Sequence, residues 1–299
     1  MDDFETLTIE TEASHVHVRQ VGRGQPVLLL HGFPQTLHMW RDIAPLLAED
    51  FTVVCADLRG YGSSGCPPSA ADHEPYSKRA MAREMAAVMA ELGFERFSIA
   101  GHDRGGRVAY RAALDHPDRV ERLAVLDIVP IAAAWDRADD RLALGFWPWS
   151  LLAQNEPLPE RLVGAAPEAV IENALSTEWG TPTDVFDADT RAHYLAQLQD
   201  PEHLHAICEE YRAAAGIDRD HDRDDRAAGN RIACPVLALW SETGPVESWY
   251  AAEGGPLALW REVAPDIRGH PVPGGHFFPE EHPHDTARAL SAFFSAHSG

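Results

Sequence analysis

The chain has 299 residues, 45% of them hydrophobic and 24% charged, which is enough for one sizeable α/β domain with an insertion or for two smaller domains. Asp and Glu number 47 against 25 Lys and Arg, a formal net charge of −22, and this argues against nucleic acid and anionic membranes as partners. The same charge repels an anionic ligand at long range, so any anion site must be built from arginines placed locally.

In chain order, Met1-Asp2-Asp3-Phe4-Glu5 is acidic and lacks the basic-then-apolar pattern of a signal peptide. Residues 27–30 form a short apolar run that meets His31-Gly32-Phe33-Pro34, as a buried strand runs into a turn. Residues 51–56 predict a second strand, ended by Asp57-Leu58-Arg59-Gly60. Met81, Met85, Val88, Met89 and Leu92 have helical spacing over 78–92. Residues 97–100 predict a third strand, 106–114 a helix, 123–126 a fourth strand and 236–240 a fifth. Short apolar strands alternating with helices predict an α/β fold with a mostly parallel sheet covered on both faces.

Between residues 130 and 225 the pattern turns helical and rich in Trp, Ala and Pro, with no convincing strand. Its end, Asp218-Arg219-Asp220-His221-Asp222-Arg223-Asp224-Asp225, reads as a solvated charge run. The simplest organisation is a core of residues 1–129 and 226–299 with a helical cap, 130–225, inserted after the fourth strand. Pockets commonly form where two such units meet. No apolar run approaches the ~20 residues of a membrane-spanning helix. Cys55, Cys66, Cys208 and Cys234 lack CxxC spacing and read as reduced thiols of a cytoplasmic protein.

Gly101-His102-Asp103-Arg104-Gly105 stands between a strand and a helix, as a G-x-nucleophile-x-G elbow with Asp in the central place. Such a turn is too tight for flanking Cβ atoms and pushes the central side chain into the cleft above the sheet. The backbone amides of Phe33 and Arg104 are placed to meet a developing oxyanion. The competing reading, an Asp that merely caps the helix, loses ground once the partners follow in order. His276, in Pro273-Gly274-Gly275-His276-Phe277-Phe278, is the candidate base. Its orienting acid is Asp127, after the fourth strand, or Glu242, after the fifth; Gly244 at the other usual acid position favours Asp127. Attack by Asp on a carbonyl carbon would give an anhydride, a poor intermediate. Attack on an sp³ carbon bearing halide, or on an epoxide, gives an ester that base-activated water can cleave.

These motifs resemble the fluoroacetate/haloacetate dehalogenase branch of the α/β-hydrolases over nearly the whole chain. The likeness covers residues 31–36, 57–64, 101–107, 123–128, Cys208-Glu209-Glu210-Tyr211-Arg212 and 274–278, with Asp103-Arg104-x-x-Arg107 the most specific piece. It implies an α/β-hydrolase fold, a haloacid substrate, a homodimer and no metal or cofactor. It further implies that Arg104 and Arg107 hold the substrate carboxylate. The leaving halide would be received in a pocket formed by the segment Trp147-Pro148-Trp149, Trp179 and Tyr211. Pro148 stands where that family places a His, so one halide donor is missing. An epoxide hydrolase, which shares the Asp elbow, is the alternative; it ordinarily uses two cap tyrosines, and the cap offers only Tyr194 and Tyr211.

Overall fold

The computed structural model describes residues 4–296. Eight strands form one sheet: β1 (Glu5–Glu10), β2 (His15–Gly22), β3 (Gln25–Leu30), β4 (Phe51–Ala56), β5 (Phe97–His102), β6 (Val120–Leu126), β7 (Val236–Ser241) and β8 (Ile267–Val272). Their spatial order is β1-β2-β4-β3-β5-β6-β7-β8. β2 runs antiparallel to both β1 and β4, and all other pairs are parallel. β4, β5 and β7 are buried along their whole length, as expected of parallel strands covered on both faces.

Alternation along each strand divides the core in two. Leu28, Leu30, Val54, Ile99, Leu123 and Val125 face Met81, Met85 and Val88 of helix Lys78–Glu91 and Val108 of helix Asp103–Asp115. Val27, Leu29, Val53, Cys55, Ala124 and Leu239 face Trp40, Leu47 and, from helix Pro283–Phe294, Leu290 and Phe293. The cap enters between β6 and β7 as a succession of helices from Ile131–Asp136 to Ile217–Ala228. No helix among the described residues is long and apolar enough to cross a membrane.

Two expectations are corrected. The expected cap boundary at 225/226 falls inside helix Ile217–Ala228. The charge run in that helix is not simply solvated, because residues 218, 222 and 225 share one helical face, turned to the core. Asp218 Oδ1 accepts the Lys78 N–H at 2.8 Å, and Asp222 accepts Tyr110 Oη–H, Arg111 Nη2–H and Ala132 N–H at 2.8–3.1 Å. Asp225 pairs with Arg111. β1, β2 and β8 also lie outside the five strands read from the sequence, being polar on alternate positions.

Candidate active site

β5 delivers Asp103 to the top of the sheet at the first position of helix Asp103–Asp115. Its φ of +44° is a left-handed conformation rare for a residue with a side chain, of the kind that costs roughly 1–3 kcal/mol and persists where the surroundings enforce it. Crowding enforces it here: a Cβ at Gly105 would lie 2.4 Å from His31 O and 2.5 Å from Leu30 O. The side chain is buried yet faces a cavity. The Phe33 N–H donates to Asp103 Oδ2 at 3.0 Å, and Oδ1 accepts no hydrogen bond from the described residues. No hydrogen bond joins the second expected donor, Arg104 N–H, to this carboxylate among the described residues.

Asp127 follows β6, also with positive φ, +55°. Its Oδ1 accepts the Ser241 N–H at 2.8 Å, and its Oδ2 accepts His276 Nδ1–H at 2.6 Å. His276 is therefore held in the tautomer that turns Nε2 toward the cavity as a proton acceptor. Glu242 is exposed and takes no part. A Cβ at Gly244 would lie only 3.8 Å from Asp127 Oδ2, so positions 127 and 244 address the same spot.

Burial pushes His276 toward its neutral form, but the hydrogen bond and charge of Asp127, with Asp103 behind, outweigh it and hold its pKa above the ordinary histidine value. For Asp103, burial raises the pKa while His276, Arg104 and Arg107 lower it, and the net direction is downward. His102 lies between His276 O, at 2.8 Å, and Gln35 Oε1, at 3.0 Å, and burial drops its pKa to about 4.

The cavity is small, with room for about one or two waters. Asp103, His276, Arg107, Pro148, Trp149, Trp179 and Tyr211 all border it. Arg107 donates to Val129 O at 2.9 Å, and its guanidinium lies 4.5 Å from the Trp149 ring centroid. Arg104 sits behind, its guanidinium 4.0 Å from the Tyr211 ring centroid. Its Nε lies 2.9 and 2.8 Å from the two oxygens of Glu210, whereas Nη1 is buried without a partner.

The halide-pocket expectations divide. Trp149 Nε1 and Tyr211 Oη make no hydrogen bond to described residues, and burial pushes the Tyr211 phenol up, so it stays a donor. Trp179 borders the cavity with its ring, but its N–H is spent on Gly145 O at 2.7 Å. Pro148 is buried in the lining and brings no donor. Trp147 does not belong: its N–H donates to Asn173 Oδ1 at 2.5 Å, away from the cavity. In helix Trp147–Leu152 it and Trp149 lie about 200° apart around the axis, so both cannot face one pocket. Sequence reading also missed Phe146 in the lining, and Glu210, Gln35 and His102 behind it.

Residues 25–151 match the family described as alpha/beta hydrolase fold. A fluoroacetate dehalogenase of Burkholderia sp is 45% identical over 299 residues, 100% of this chain and 96% of that protein. A soluble epoxide hydrolase of Corynebacterium sp. (strain C12) is 32% identical over 283 residues, 94% of this chain and 93% of that one. The solved structure of an alpha/beta hydrolase from Nostoc sp PCC 7120 superposes with a TM-score of 0.93 at 44% identity, covering 99% of each chain. With an Asp elbow, the Asp–His pair and this full-length likeness together, the chain belongs to the fluoroacetate/haloacetate dehalogenase branch of the α/β-hydrolase superfamily.

Proposed function

We propose that the protein hydrolyses a haloacetate to glycolate and halide, with Asp103 as nucleophile and His276 as base. The observation that carries this reading is that a carboxylate, Asp103, a guanidinium, Arg107, and His276 border the same small cavity.

Asp103 Oδ1 attacks the carbon bearing halogen, the carbon–halogen bond breaks, and halide leaves with the bonding pair. Arg107, with Arg104 Nη1 behind it, holds the substrate carboxylate. The product is an ester of Asp103 whose carbonyl oxygen is Oδ2, already held by the Phe33 N–H. Water attacks the ester carbonyl carbon while His276 Nε2 takes one of its protons; that proton passes to the departing glycolate oxygen, and the second is released to solvent as Asp103 returns to a carboxylate. Asp127 orients His276 and offsets the imidazolium charge.

Trp149 N–H and Tyr211 O–H remain to receive halide. Fluoride, small and basic, depends most on donors that strengthen as the bond breaks, and position 148 supplies none. Losing one such donor costs roughly 2–4 kcal/mol in barrier, by analogy with an oxyanion-hole donor. Chloroacetate and bromoacetate are therefore the expected better substrates. The four free thiols agree with a cytoplasmic enzyme, and the family likeness favours a homodimer.

Epoxide hydrolysis is the second reading, favoured by the Corynebacterium relative. Against it, Tyr194 Oη–H already donates to Glu280 at 2.8 Å, leaving Tyr211 as the one cap tyrosine free to protonate an epoxide oxygen. Measuring kcat/KM for fluoro-, chloro- and bromoacetate and a small epoxide on one preparation tests both readings. Halide release that vanishes in Asp103→Asn supports the first. Turnover of the epoxide alone supports the second, and fluoroacetate as the best substrate overturns the halide preference.

A further inference from the structure

Three successive backbone N–H groups of the loop carrying His276 are fixed, two of them by the cap and one by the core helix Phe278–Glu281. The Gly275 N–H donates to Glu281 Oε1 at 2.8 Å, the His276 N–H to Trp179 O at 2.8 Å, and the Phe277 N–H to Thr181 Oγ1 at 3.0 Å. Thr181 Oγ1–H in turn donates to the same Glu281 Oε1 at 2.6 Å. Trp179 and Thr181 belong to the cap, between helices Pro167–Ala174 and Ala188–Gln199, and Thr181 is fully buried. The two backbones touch: a Cβ on Gly275 would lie 2.1 Å from Thr181 N and 2.2 Å from Gly180 C. Trp179 also sets its ring edge against His276, with centroids 5.6 Å apart.

We propose that Thr181 is a positioning residue for the base. Its hydroxyl accepts from Phe277 N–H and donates to Glu281, joining the cap to residues 275–277, so that His276 is aimed at water only while the cap is seated. The inference rests on the two-step reading above and makes its steps separable. Formation of the ester uses Asp103 and the arginines. Its hydrolysis alone needs His276 Nε2 within hydrogen-bond reach of water, and misplacing a reacting group by 1 Å can cost about a hundred-fold.

The test is rapid-quench halide release from chloroacetate or bromoacetate, with intact-protein mass, for the wild type, Thr181→Val, Thr181→Ser and Glu281→Ala. Thr181→Val keeps the volume and removes the hydroxyl. It is expected to release one equivalent of halide at the wild-type rate, then turn over about ten- to a hundred-fold more slowly while the protein accumulates one carboxymethyl group. Thr181→Ser restores turnover. A variant slowed equally in burst and turnover, a variant unchanged in both, or failure of Ser to rescue overturns the inference. If Thr181→Val does not fold, Glu281→Ala carries the same expectation. A wild type that releases no halide from any haloacetate overturns the haloacetate reading itself, and this inference with it.

Discussion

Glu210, on the cap, holds Arg104, on the core, through both carboxylate oxygens, and Lys78 reaches the same carboxylate from a third helix. All three side chains are buried. The guanidinium that backs the cavity is thus oriented from outside the cavity, by a residue that borders none of it.

Breaking such a cluster by removing one member leaves charge buried and unpaired. Glu210→Gln is expected to lower the unfolding free energy by about 3–5 kcal/mol. Denaturant titration of wild type and variant measures this; a change under 1 kcal/mol would mean that water reaches Arg104 and Lys78.

Pro148→His returns a donor to the cavity wall. If position 148 limits fluoride departure, the variant gains on fluoroacetate relative to chloroacetate by roughly 2–4 kcal/mol in barrier, the range for one oxyanion-type donor. The ratio of kcat/KM for the two substrates is the measurement. An unchanged ratio would remove position 148 from halide selection.

Asp127→Asn leaves an amide facing two donors, Ser241 N–H and His276 Nδ1–H, with a single oxygen to satisfy them. One must lose its acceptor, and His276 is free to take the wrong tautomer. Steady-state kcat should fall by about 10³–10⁴-fold, with the first equivalent of halide still released. Normal turnover in this variant would return Glu242 to consideration.

The pH dependence should differ between the steps. His276 works as a base when neutral, and its pKa is raised, so hydrolysis is lost as pH falls through a value above the ordinary histidine range in the free enzyme. Esterifying Asp103 removes one of the charges that raise it, so the midpoint for kcat lies below that of the free enzyme. Asp103 itself is held below the ordinary carboxylate range, so the halide burst persists at pH values where turnover has stopped. Rapid-quench measurements from pH 4 to pH 9 check both limbs; coincident limbs would place one ionisation in control of both steps.

The strands that position the site were legible because residues 51–56, 97–100 and 236–240 are unbroken apolar runs, which only a doubly covered sheet accommodates. β2 was legible in principle, since Val16 and Val18 are buried and alternate with half-exposed His15, His17 and Arg19, but its polar half hid the signal. Asp103, Asp127 and His276 could be picked out because each follows a strand or a Gly-Gly turn, and the fold brings the three to one cavity. Glu210 could not, because its partner stands 106 residues earlier and nothing local marks the pair. Trp147 misled because adjacency in sequence is not adjacency on a helix. The acidic run at 218–225 misled because its partners, Lys78, Tyr110 and Arg111, are brought to it only by the fold.

The placement of Arg104 and Arg107 has a kinetic consequence. A molecule with net charge −22 carries these two guanidiniums inside, so an anion in solution meets a net negative surface first and the two buried cations only after contact. Added salt screens that surface over a Debye length of about 10 Å at 0.1 M while leaving the buried cations nearly untouched. Capture of a haloacetate should therefore speed up with ionic strength, the reverse of enzymes whose surface field draws the substrate in.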